Sequence, residues 1–486
     1  MTTPLDIGNR LELFVDNALI DTLSGKASLR LHQPVAREAA LITDRPWEGN
    51  MCGGYKTYFR DGDLFRMYYQ SWRVVLQSDV SKGEQLHSPH GIQIGYLESD
   101  DGIHWRRPSL GLVEFQGSTD NNIVFAGIGE DKKGIHGFAP FKDTNPGCPP
   151  AARYKAFGAS ETWPASLYAL QSPDGLHWSL LREEPLAIQG AFDSQNLAFW
   201  DAARGEYRAY VRDFTEGIRG IRTCTSPDFL SWTPAEWLDY VDSPEEQLYT
   251  NQVMPYYRAP HIFVGFPTRY VQRPWSPSIE ALPELEHRRL RASINERFGA
   301  AVTDGQFMAS RDGRTFKRWD EAFIRPGLRT EGSWTYGDCY QGWGLLETAP
   351  SLPGSPNELS LFASEGYWRG ESVTLRRYTL RVDGFVSVHA PLGGGEVVTP
   401  PFTFTGDQLL LNISTSAGGH ARVELQSPDG RALDGCSLDD CHEIIGDTLA
   451  YTVRWRHGTD VRPLAGHPVR LRVTLADADL YSFQFV

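Results

Sequence analysis

A seven-residue pattern occurs four times in this chain of 486 residues and constrains the fold more than any other feature. The pattern is Ser-x-Asp-(Gly or Phe)-x-x-(Trp or Phe), and its copies span 99–105, 172–178, 226–232 and 310–316. The Ser and Asp side chains can hydrogen-bond a turn, glycine takes the positive φ, and the aromatic ring packs behind. Because a short strand-like run precedes each copy, the pattern predicts a hairpin that is repeated along the chain.

A second hairpin-like segment precedes each copy, so that two hairpins form a four-stranded unit. In the first unit this hairpin spans 55–69 and turns at 60–63. Further units are predicted at 137–178, 193–232 and 248–316, and a fifth from 337 to about 389. The fifth unit lacks the pattern but contains a strand, a tight turn and a strand at 375–388. Five such units predict a five-bladed β-propeller.

A different organisation is predicted beyond the hinge Gly393-Gly394-Gly395. Alternating apolar and polar residues recur there in five segments, which predicts a β-sandwich. We therefore predict an all-β protein with a five-bladed β-propeller at 1–390, including an N-terminal strand segment, and a C-terminal β-sandwich at 396–486. A stretch rich in Glu, Leu and Arg near 278–297 predicts a helical insert in blade four. It is interpreted as a lid, an oligomer contact or a solvated insert.

The charge balance restricts the partners. Lysine and arginine number 47 and aspartate and glutamate 61, which gives 47 − 61 = −14 and argues against binding to nucleic acid. No apolar stretch is long enough for a membrane span, and no signal peptide is visible, so a cytoplasmic location is expected. A secreted form whose signal is missing from this sequence stays open. The six cysteines form no CxxC pair and are expected to be reduced structural thiols.

Acidic residues stand at the entrances to the predicted inner strands of several blades. Blade one has Glu48, blade three Asp193, blade four Glu246 beside Glu245, and blade five Asp338. Inner strands surround a propeller's axis, so these carboxylates are expected to converge on one pocket. Glycoside hydrolysis needs such a set, because one carboxyl group protonates the leaving oxygen while another acts as nucleophile or activates water.

This arrangement resembles the five-bladed furanosidase propellers, both the invertase and fructanase family and the arabinanase and xylosidase family. Asp193, in the segment Phe-Asp-Ser-Gln-Asn, matches the blade-three acid of these families, and Glu246 matches their blade-four acid. Blade one departs from the pattern, because aligning the tryptophans at Trp47 puts Asn50 where those enzymes have aspartate. The resemblance implies hydrolysis of a furanoside-type bond, fructosyl or arabinofuranosyl-like, in an oligosaccharide or small glycoside.

The hypothesis assigns Glu246 as general acid, Glu48 as nucleophile or base, Asp193 as stabiliser of the transition state, and Asp338 as catalytic acid or binder of a sugar hydroxyl. Further side chains near the strand entrances are candidates for substrate binding, the aromatic ones because sugar C–H faces pack on rings. The substrate-binding candidates are Asn50, Tyr55, His136, Asp143, Gln195, Asn196, Arg212, Tyr249, Asn251, Trp334, Tyr340 and Glu365.

Two other functions stay open at this point. A phosphate-dependent glycoside phosphorylase would bind phosphate through Arg and His near the axis, and a non-catalytic carbohydrate-binding propeller would keep only the aromatic residues. The sequence contains no Walker loop, HExxH or Gly-x-Ser-x-Gly motif, and His136 has no partner residues at metal-ligand spacing. No cofactor and no metal are therefore expected, and a homo-oligomer is left open.

Overall fold

The computed structural model describes residues 4–51, 54–76, 86–241 and 243–486, so that Cys52 lies outside the described residues. Strands dominate, which confirms that the protein is mostly β. The described helices are Pro150–Ala152, Pro277–Glu280, Leu285–Ile294, Glu296–Ala300 and Arg462–Leu464. The predicted helical insert thus consists of three short helices, separated by the left-handed Glu284 region and by the extended residue Asn295.

Three antiparallel sheets each have four strands, which follow one another along the chain. Sheet one contains Lys56–Asp61, Leu64–Ser71, Gln93–Ser99 and Ile123–Phe125. Sheet two contains His136–Lys142, Tyr154–Ala159, Leu167–Ser172 and Ser179–Leu180. Sheet three contains Leu197–Asp201, Glu206–Thr215, Ile218–Ser226 and Glu236–Trp237.

Sheets four and five include strands that are distant in the sequence. Sheet four contains Asp239–Val241, Met254–Tyr256, Ala259–Gly265, Met308–Ser310 and Thr315–Arg318. A three-stranded sheet beside it contains Gln247–Leu248, Thr268–Gln272 and Ala301–Gly305 and carries the helical insert. Sheet five contains Leu346–Thr348, Glu358–Glu365, Thr374–Arg381 and, from the N-terminal part of the chain, Val35–Ile42.

The repeated sequence pattern forms the predicted turn. At 172–178, Oδ1 of Asp174 accepts hydrogen bonds from the backbone N–H groups of Leu176 and His177, at 2.8 and 2.9 Å, while Gly175 has a φ of +81°. The third copy has Phe229 in place of glycine, also at a positive φ, of +69°. The Phe229 ring is fully buried between sheets two and three, and this packing accompanies the unfavourable backbone conformation.

Neighbouring sheets share apolar clusters and a buried chain of polar groups. The first strand of sheet two contacts the first strands of sheets one and three, and the first strand of sheet five contacts that of sheet one. Gln195 donates to Thr57 at 3.1 Å, and Gln252 donates to Gln195 at 2.8 Å and to the carbonyl of Gln341 at 2.9 Å. These hydrogen bonds join three segments to the first strand of sheet one. The segments precede Leu197–Asp201 of sheet three, Met254–Tyr256 of sheet four and Leu346–Thr348 of sheet five.

Both ends of the chain build one further sheet, here called the terminal sheet. Its eight strands are Glu12–Leu13, Thr22–Gly25, Ser28–Leu31, Val386–Ala390, Gly395–Val398, Leu409–Gln426, Asp447–Thr452 and Arg470–Phe485. Two two-stranded sheets complete the list, Leu5–Gly8 with Phe402–Phe404 and Val75–Leu76 with Leu86–His87. The predicted sandwich and the division at 390 and 396 stay predictions.

The strand, turn and strand predicted at 375–388 are present, but the two strands do not form a hairpin. Thr374–Arg381 and Val386–Ala390 do not pair with each other, because the first belongs to sheet five and the second to the terminal sheet. The chain crosses between the two sheets at Asp383, whose carboxylate accepts a 2.6 Å hydrogen bond from the Tyr256 hydroxyl of sheet four. A strand, a turn and a strand in sequence therefore do not form a hairpin when each strand has a better partner elsewhere.

Candidate functional site

A cavity of about 360 Å³ opens where the segments before several first strands meet. We call it the tyrosine pocket, because four tyrosines line it together with other aromatic and a few polar side chains. Its lining residues are Met51, Tyr55, Gln70, Trp72, Val74, His87, Ser88, His136, Asp193, Tyr249, Arg297, Phe298, Tyr336, Tyr367 and Trp368. Of the residues predicted for the site, Tyr55, His136, Asp193 and Tyr249 lie in this lining.

The position of each lining residue follows from the strand it adjoins. Tyr55 directly precedes the first strand of sheet one, His136 begins that of sheet two, and Asp193 lies four residues before that of sheet three. Tyr249 follows Gln247–Leu248, beside sheet four. Since these first strands run side by side, the residues at their starts converge, as the sequence predicted for Tyr55, His136 and Asp193.

Asp193 is the ionised group of the pocket. Its Oδ1 lies 2.9 Å from Nε2 of His136, and its Oδ2 lies 3.9 Å from the guanidinium of Arg212. Burial acts to raise the pKa of Asp193, but the hydrogen bond from His136 and the charges of Arg212 and Arg297 outweigh it and lower the pKa. The side chain is still 46% exposed, so a carboxylate that is ionised at neutral pH faces the cavity.

His136 is held in one orientation. An ionised carboxylate only accepts hydrogen bonds, so the proton of the pair lies on Nε2 of the imidazole. Nδ1 is buried without a hydrogen-bond partner, and the ring packs edge-on against Tyr55 with 5.6 Å between centroids. Because Nδ1 is buried and Nε2 bonds Asp193, His136 positions Asp193 and leaves part of that carboxylate exposed to the cavity.

The walls are mutually packed aromatic rings. The Tyr249 and Tyr336 centroids are 6.2 Å apart and the two hydroxyls 3.2 Å apart, while Phe298 and Trp368 meet edge to face at 5.0 Å. Burial raises the pKa of Tyr55 and of Tyr336, which keeps both hydroxyls neutral. Apolar faces with neutral hydroxyl donors suit a ligand that carries both C–H faces and hydroxyl groups.

Three predicted residues lie behind the walls. Arg212 is buried under Tyr249, with its guanidinium 5.4 Å from the ring centroid. Tyr340 stacks on Tyr367 at 6.4 Å between centroids. Asp338 is buried and accepts backbone hydrogen bonds from Tyr367 at 2.9 Å and Thr335 at 3.3 Å. Asp338 thus holds the two segments that carry Tyr336 and Tyr367, while its own carboxyl group does not line the pocket.

Glu48 lies outside the pocket. Its carboxylate is fully buried and forms hydrogen bonds with Arg107 at 2.9 and 3.0 Å, and it also accepts one from the Tyr69 hydroxyl. These donors, with the backbone N–H of Arg45 at 3.0 Å, occupy both oxygens. The structure therefore gives Glu48 the surroundings of a structural ion pair, not those of a nucleophile.

Glu246 lies in a separate cleft beside sheet four. Its carboxylate accepts hydrogen bonds from Arg269 at 2.7 Å, from Gln306 at 2.8 Å and from Arg318. Burial acts to raise the pKa of Glu246, but these donors and charges prevail and lower it, which does not suit a general acid. Trp334 lines the same cleft and not the tyrosine pocket, because its indole is turned toward the carbonyl of Gly327, at 2.9 Å.

Three more predicted contacts are occupied by structural partners, and none of the three side chains is among the lining residues. Asn50 donates to the carbonyls of Val74 and Gly370, at 2.8 and 2.9 Å. Asp143 is buried in an ion pair with Lys155 at the end of its strand, seven residues beyond His136. Glu365 pairs with Arg376 at 2.7 Å and accepts from the Tyr378 hydroxyl at 3.1 Å.

The predicted amides hold backbone below the pocket. Gln195 belongs to the buried polar chain described above. Asn196 donates to the carbonyls of Phe192 and Ser194, at 3.2 and 2.9 Å, and accepts from the backbone of Arg212 at 3.1 Å. Asn251 accepts from the backbone N–H of Val253 at 3.2 Å. Gln195 and Asn196 fix the segment before Leu197–Asp201 and thereby place Asp193. Asn251 fixes the segment before Met254–Tyr256 and thereby places Tyr249.

Sequence reasoning missed much of the lining. Arg297 and Phe298 come from the helix Glu296–Ala300 of the insert, which the sequence predicts only as a possible lid. Tyr336 lies in the aromatic segment 334–341, of which only Trp334, Asp338 and Tyr340 were predicted as site residues. Gln70 and His87 lie within ordinary strands, and Trp72 and Ser88 follow them, so these residues had no distinguishing pattern. The one signal that marks Gln70 and Trp72 is their position at the end of the strand Leu64–Ser71.

The described residues hold no group of three or more His, Cys, Asp or Glu arranged to bind a metal ion. None of their helices has the length and apolar character needed to cross a membrane. The five described cysteines, Cys148, Cys224, Cys339, Cys436 and Cys441, form no disulfide.

Comparison with known proteins gives distant likenesses only. No protein-family model and no curated protein matches this sequence. An N-acetylgalactosamine deacetylase from F. plautii, solved with blood group B trisaccharide, has 12% identity and a TM-score of 0.44 over 72% of this chain and 96% of its own. An endo-arabinase from Bacteroides thetaiotaomicron has 9% identity and a TM-score of 0.39 over 70% and 96%.

A third solved structure comes from work on the GH130 family of mannoside phosphorylases and on its glycoside hydrolases that target β-1,2 mannosidic linkages in Candida mannan. It has 13% identity and a TM-score of 0.41 over 73% of this chain and 96% of its own. Identities and TM-scores this low assign neither an activity nor a substrate to the chain.

Proposed function

We propose that this protein is a carbohydrate-active enzyme that binds a sugar in the tyrosine pocket and cleaves its glycosidic bond with Asp193 as the reacting carboxylate. The observation that carries the proposal is an ionised, half-exposed carboxylate, oriented by His136, in a cavity with aromatic walls. As an ionised group, Asp193 attacks the anomeric carbon or activates the water molecule that does so, and the leaving oxygen takes its proton from solvent, since no second carboxyl group is among the described lining residues. Glu48 and Glu246 have no part in the proposal, because both are held in ion pairs elsewhere.

The proposed architecture puts this pocket at one mouth of a propeller axis. Sheets one to five are taken as its five blades, with Val35–Ile42 completing sheet five, and the residues that precede the first strands as the rim. The apolar clusters between successive sheets and the buried glutamine chain support this arrangement. We also propose a terminal sandwich that braces the propeller.

Furanoside-type linkages remain the first substrates to examine. The test is a hydrolysis screen with fructosyl, arabinofuranosyl, galactofuranosyl and xylosyl oligosaccharides, with and without inorganic phosphate. Asp193→Asn should lower kcat by about a hundredfold or more, because the reacting carboxylate is replaced by a neutral amide of the same shape. Asp120→Asn, at an exposed loop position, serves as the control and should keep full activity.

Each outcome of the screen has a definite meaning. Release of free sugar that depends on Asp193 supports hydrolysis. Turnover only with phosphate supports the phosphorylase, in which phosphate attacks the anomeric carbon, forms the sugar phosphate and replaces a second protein carboxylate; one observation favours it, since Asp193 is the only carboxylate among the described lining residues. A folded protein with neither turnover nor sugar binding would contradict the proposal, and binding without turnover would favour a carbohydrate-binding propeller.

A further inference from the structure

The tyrosine pocket contains a guanidinium group without a carboxylate partner. Arg297 lines the cavity from the helical insert, and no described carboxylate lies within ion-pair distance of it. Its guanidinium is 4.7 Å from the Phe298 centroid and 6.0 Å from that of Tyr336. The Tyr270 hydroxyl is its hydrogen-bonding neighbour and carries no charge. A half-buried arginine that contacts rings and a phenol, and whose charge acts on Asp193 only from beyond ion-pair distance, keeps most of its hydrogen-bonding capacity for a ligand.

Further positive charge stands directly behind the pocket walls. Arg219 lies 5.1 Å from the Tyr249 centroid and donates to the neutral amide of Gln247 at 2.6 Å. Arg291 is fully buried, with its guanidinium 4.9 Å from the Trp368 centroid. The guanidinium donates to the Thr335 hydroxyl and to the backbone carbonyl of Tyr336. Neither arginine has a described carboxylate within ion-pair distance.

The negative charge nearby does not balance these groups. Of the acids around the pocket, Asp193 is ionised and lies 3.9 Å from Arg212. Asp338 is buried, and burial raises its pKa to about 8, so it is mostly uncharged at neutral pH. Glu365 is already paired with Arg376. Four arginines, at 212, 219, 291 and 297, therefore face one charged carboxylate, although the whole chain has a formal charge of −14.

We propose that the ligand of the tyrosine pocket is an acidic sugar, whose carboxylate binds the guanidinium of Arg297 while its ring packs on the aromatic walls. This inference rests on the proposed function and adds the substrate class. The planar guanidinium matches a carboxylate with two parallel hydrogen bonds. An acidic sugar also explains why the excess positive charge lies beside aromatic walls, because its carboxylate binds an arginine while its ring packs on the aromatic side chains.

A carboxylate fits the site better than free phosphate does. Phosphate has no apolar face for the seven aromatic residues among the lining, and a doubly charged anion would be repelled more strongly by Asp193 in the same cavity. A pyranuronic acid carries one negative charge on the carboxylate at C5, which the ring oxygen separates from the anomeric carbon. It can therefore contact Arg297 while its glycosidic bond stays near Asp193.

The test compares sugars that differ only in charge. Binding of D-glucuronate and D-galacturonate to the full-length protein is measured by calorimetry or ligand-observed NMR, beside D-glucose, D-galactose, the neutral glucuronamide and sodium phosphate. At least one uronate should bind about tenfold or more tightly than its neutral counterpart, and added salt should weaken that preference. Arg297→Gln should lower the affinity for the uronate by about tenfold or more and so remove the preference.

The matched control is Arg289→Gln. Arg289 lies in the same insert, is 60% exposed and pairs with Glu280, so its replacement should leave the preference for uronate intact. Equal binding of neutral and acidic sugars, a preference that survives Arg297→Gln, or binding of phosphate without uronate would overturn the acidic-sugar assignment. Binding of neutral sugars would leave the proposed sugar pocket standing, whereas no binding of any sugar here, together with no binding or turnover of the oligosaccharides of the hydrolysis screen, would overturn both.

Discussion

At the scale of single residues, the acids of this chain divide by their partners. Glu48, Asp143, Glu246 and Glu365 are each held by a cationic side chain, and Asp338 is buried against backbone N–H groups. Asp193 differs because its histidine partner leaves almost half of the side chain exposed. A buried carboxylate needs a cationic partner or hydrogen bonds, and a carboxylate whose oxygens are occupied by such partners is not free to react with a substrate.

Glu246→Gln tests this division. Replacement leaves the buried guanidinium of Arg318 and part of that of Arg269 without a charged partner, so the free energy of unfolding should fall by about 3 kcal/mol. Denaturant titration measures this loss. Turnover per folded molecule should stay within about twofold, because the side chain lies outside the tyrosine pocket; a hundredfold loss of kcat with unchanged stability would restore Glu246 as a catalytic residue.

Asp338→Asn tests the buried acid through pH. Burial raises the pKa of Asp338 to about 8 against the opposing influence of backbone hydrogen bonds and Arg291. In the unfolded chain Asp338 loses its proton above the ordinary pKa near 4, whereas in the folded protein it keeps the proton up to about pH 8. The free energy of unfolding therefore falls progressively as the pH rises from about 4 to 8. The Tm of the variant relative to wild type should rise between pH 5 and 8. A constant difference would show that Asp338 does not titrate in this range.

At the scale of elements, the repeated turn acts as a local unit. Its aspartate accepts two backbone N–H bonds in each copy, at 101, 174, 228 and 312. The aromatic residue at the end of the pattern covers the neighbouring sheet. At 178, for example, the Trp178 ring meets Tyr68 of sheet one edge to face at 6.4 Å between centroids. The repeat therefore couples turn formation to packing between sheets.

Asp174→Ala measures the contribution of one turn. Loss of the carboxylate leaves the N–H groups of Leu176 and His177 without their acceptor, and unfolding free energy should fall by about 1–2 kcal/mol. Burial acts to raise the pKa of Asp174, but the hydrogen bonds from His177 and Leu176 prevail and lower it. The contribution of Asp174 to the free energy of unfolding is therefore complete above the pKa of the unfolded chain, near 4, and declines as the pH falls below that value. The exposed Asp63→Ala is the control; an equal loss there would discount the turn.

At the scale of the whole molecule, the N-terminal segment joins the terminal sheet to sheet four. Arg311, in the fourth turn, bonds Glu12 at 2.7 Å, Asp16 at 2.8 Å and the carbonyl of Leu13 at 3.3 Å. Glu12 is fully buried, and although burial acts to raise its pKa, the partners His261 and Arg311 lower it. Leu11, Leu13 and Leu31 add apolar contact with strands of sheets four and five.

Arg311→Gln should weaken this junction. It leaves the buried Glu12 carboxylate without its arginine, and the expected loss of unfolding free energy is about 3 kcal/mol. Thermal unfolding followed by calorimetry should show a lower midpoint, and a second transition if the two parts separate. Arg314→Gln on the same turn, where the side chain is 48% exposed, should change the midpoint little. Equal midpoints for Arg311→Gln and wild type would contradict the role of the junction.

The sequence by itself determined what depends on neighbouring residues. The turn pattern, the prevalence of strands and the helical insert could be predicted, because turn hydrogen bonds, glycine φ angles and alternation act over a few positions. The convergence of Tyr55, His136 and Asp193 followed from the repeat, since equivalent positions of adjacent strands lie close together.

Only the tertiary structure decided which acids stay free. Glu48 meets Arg107 from 59 residues away, and Glu246 meets Arg318 from 72 residues away, so neither pairing has a local signal. The same holds for Arg297, which the insert folds over the pocket, and for Val386–Ala390, which pairs in the terminal sheet instead of forming a hairpin. Long-range pairing satisfies buried charge and strand edges over the whole chain at once, and no short segment encodes it.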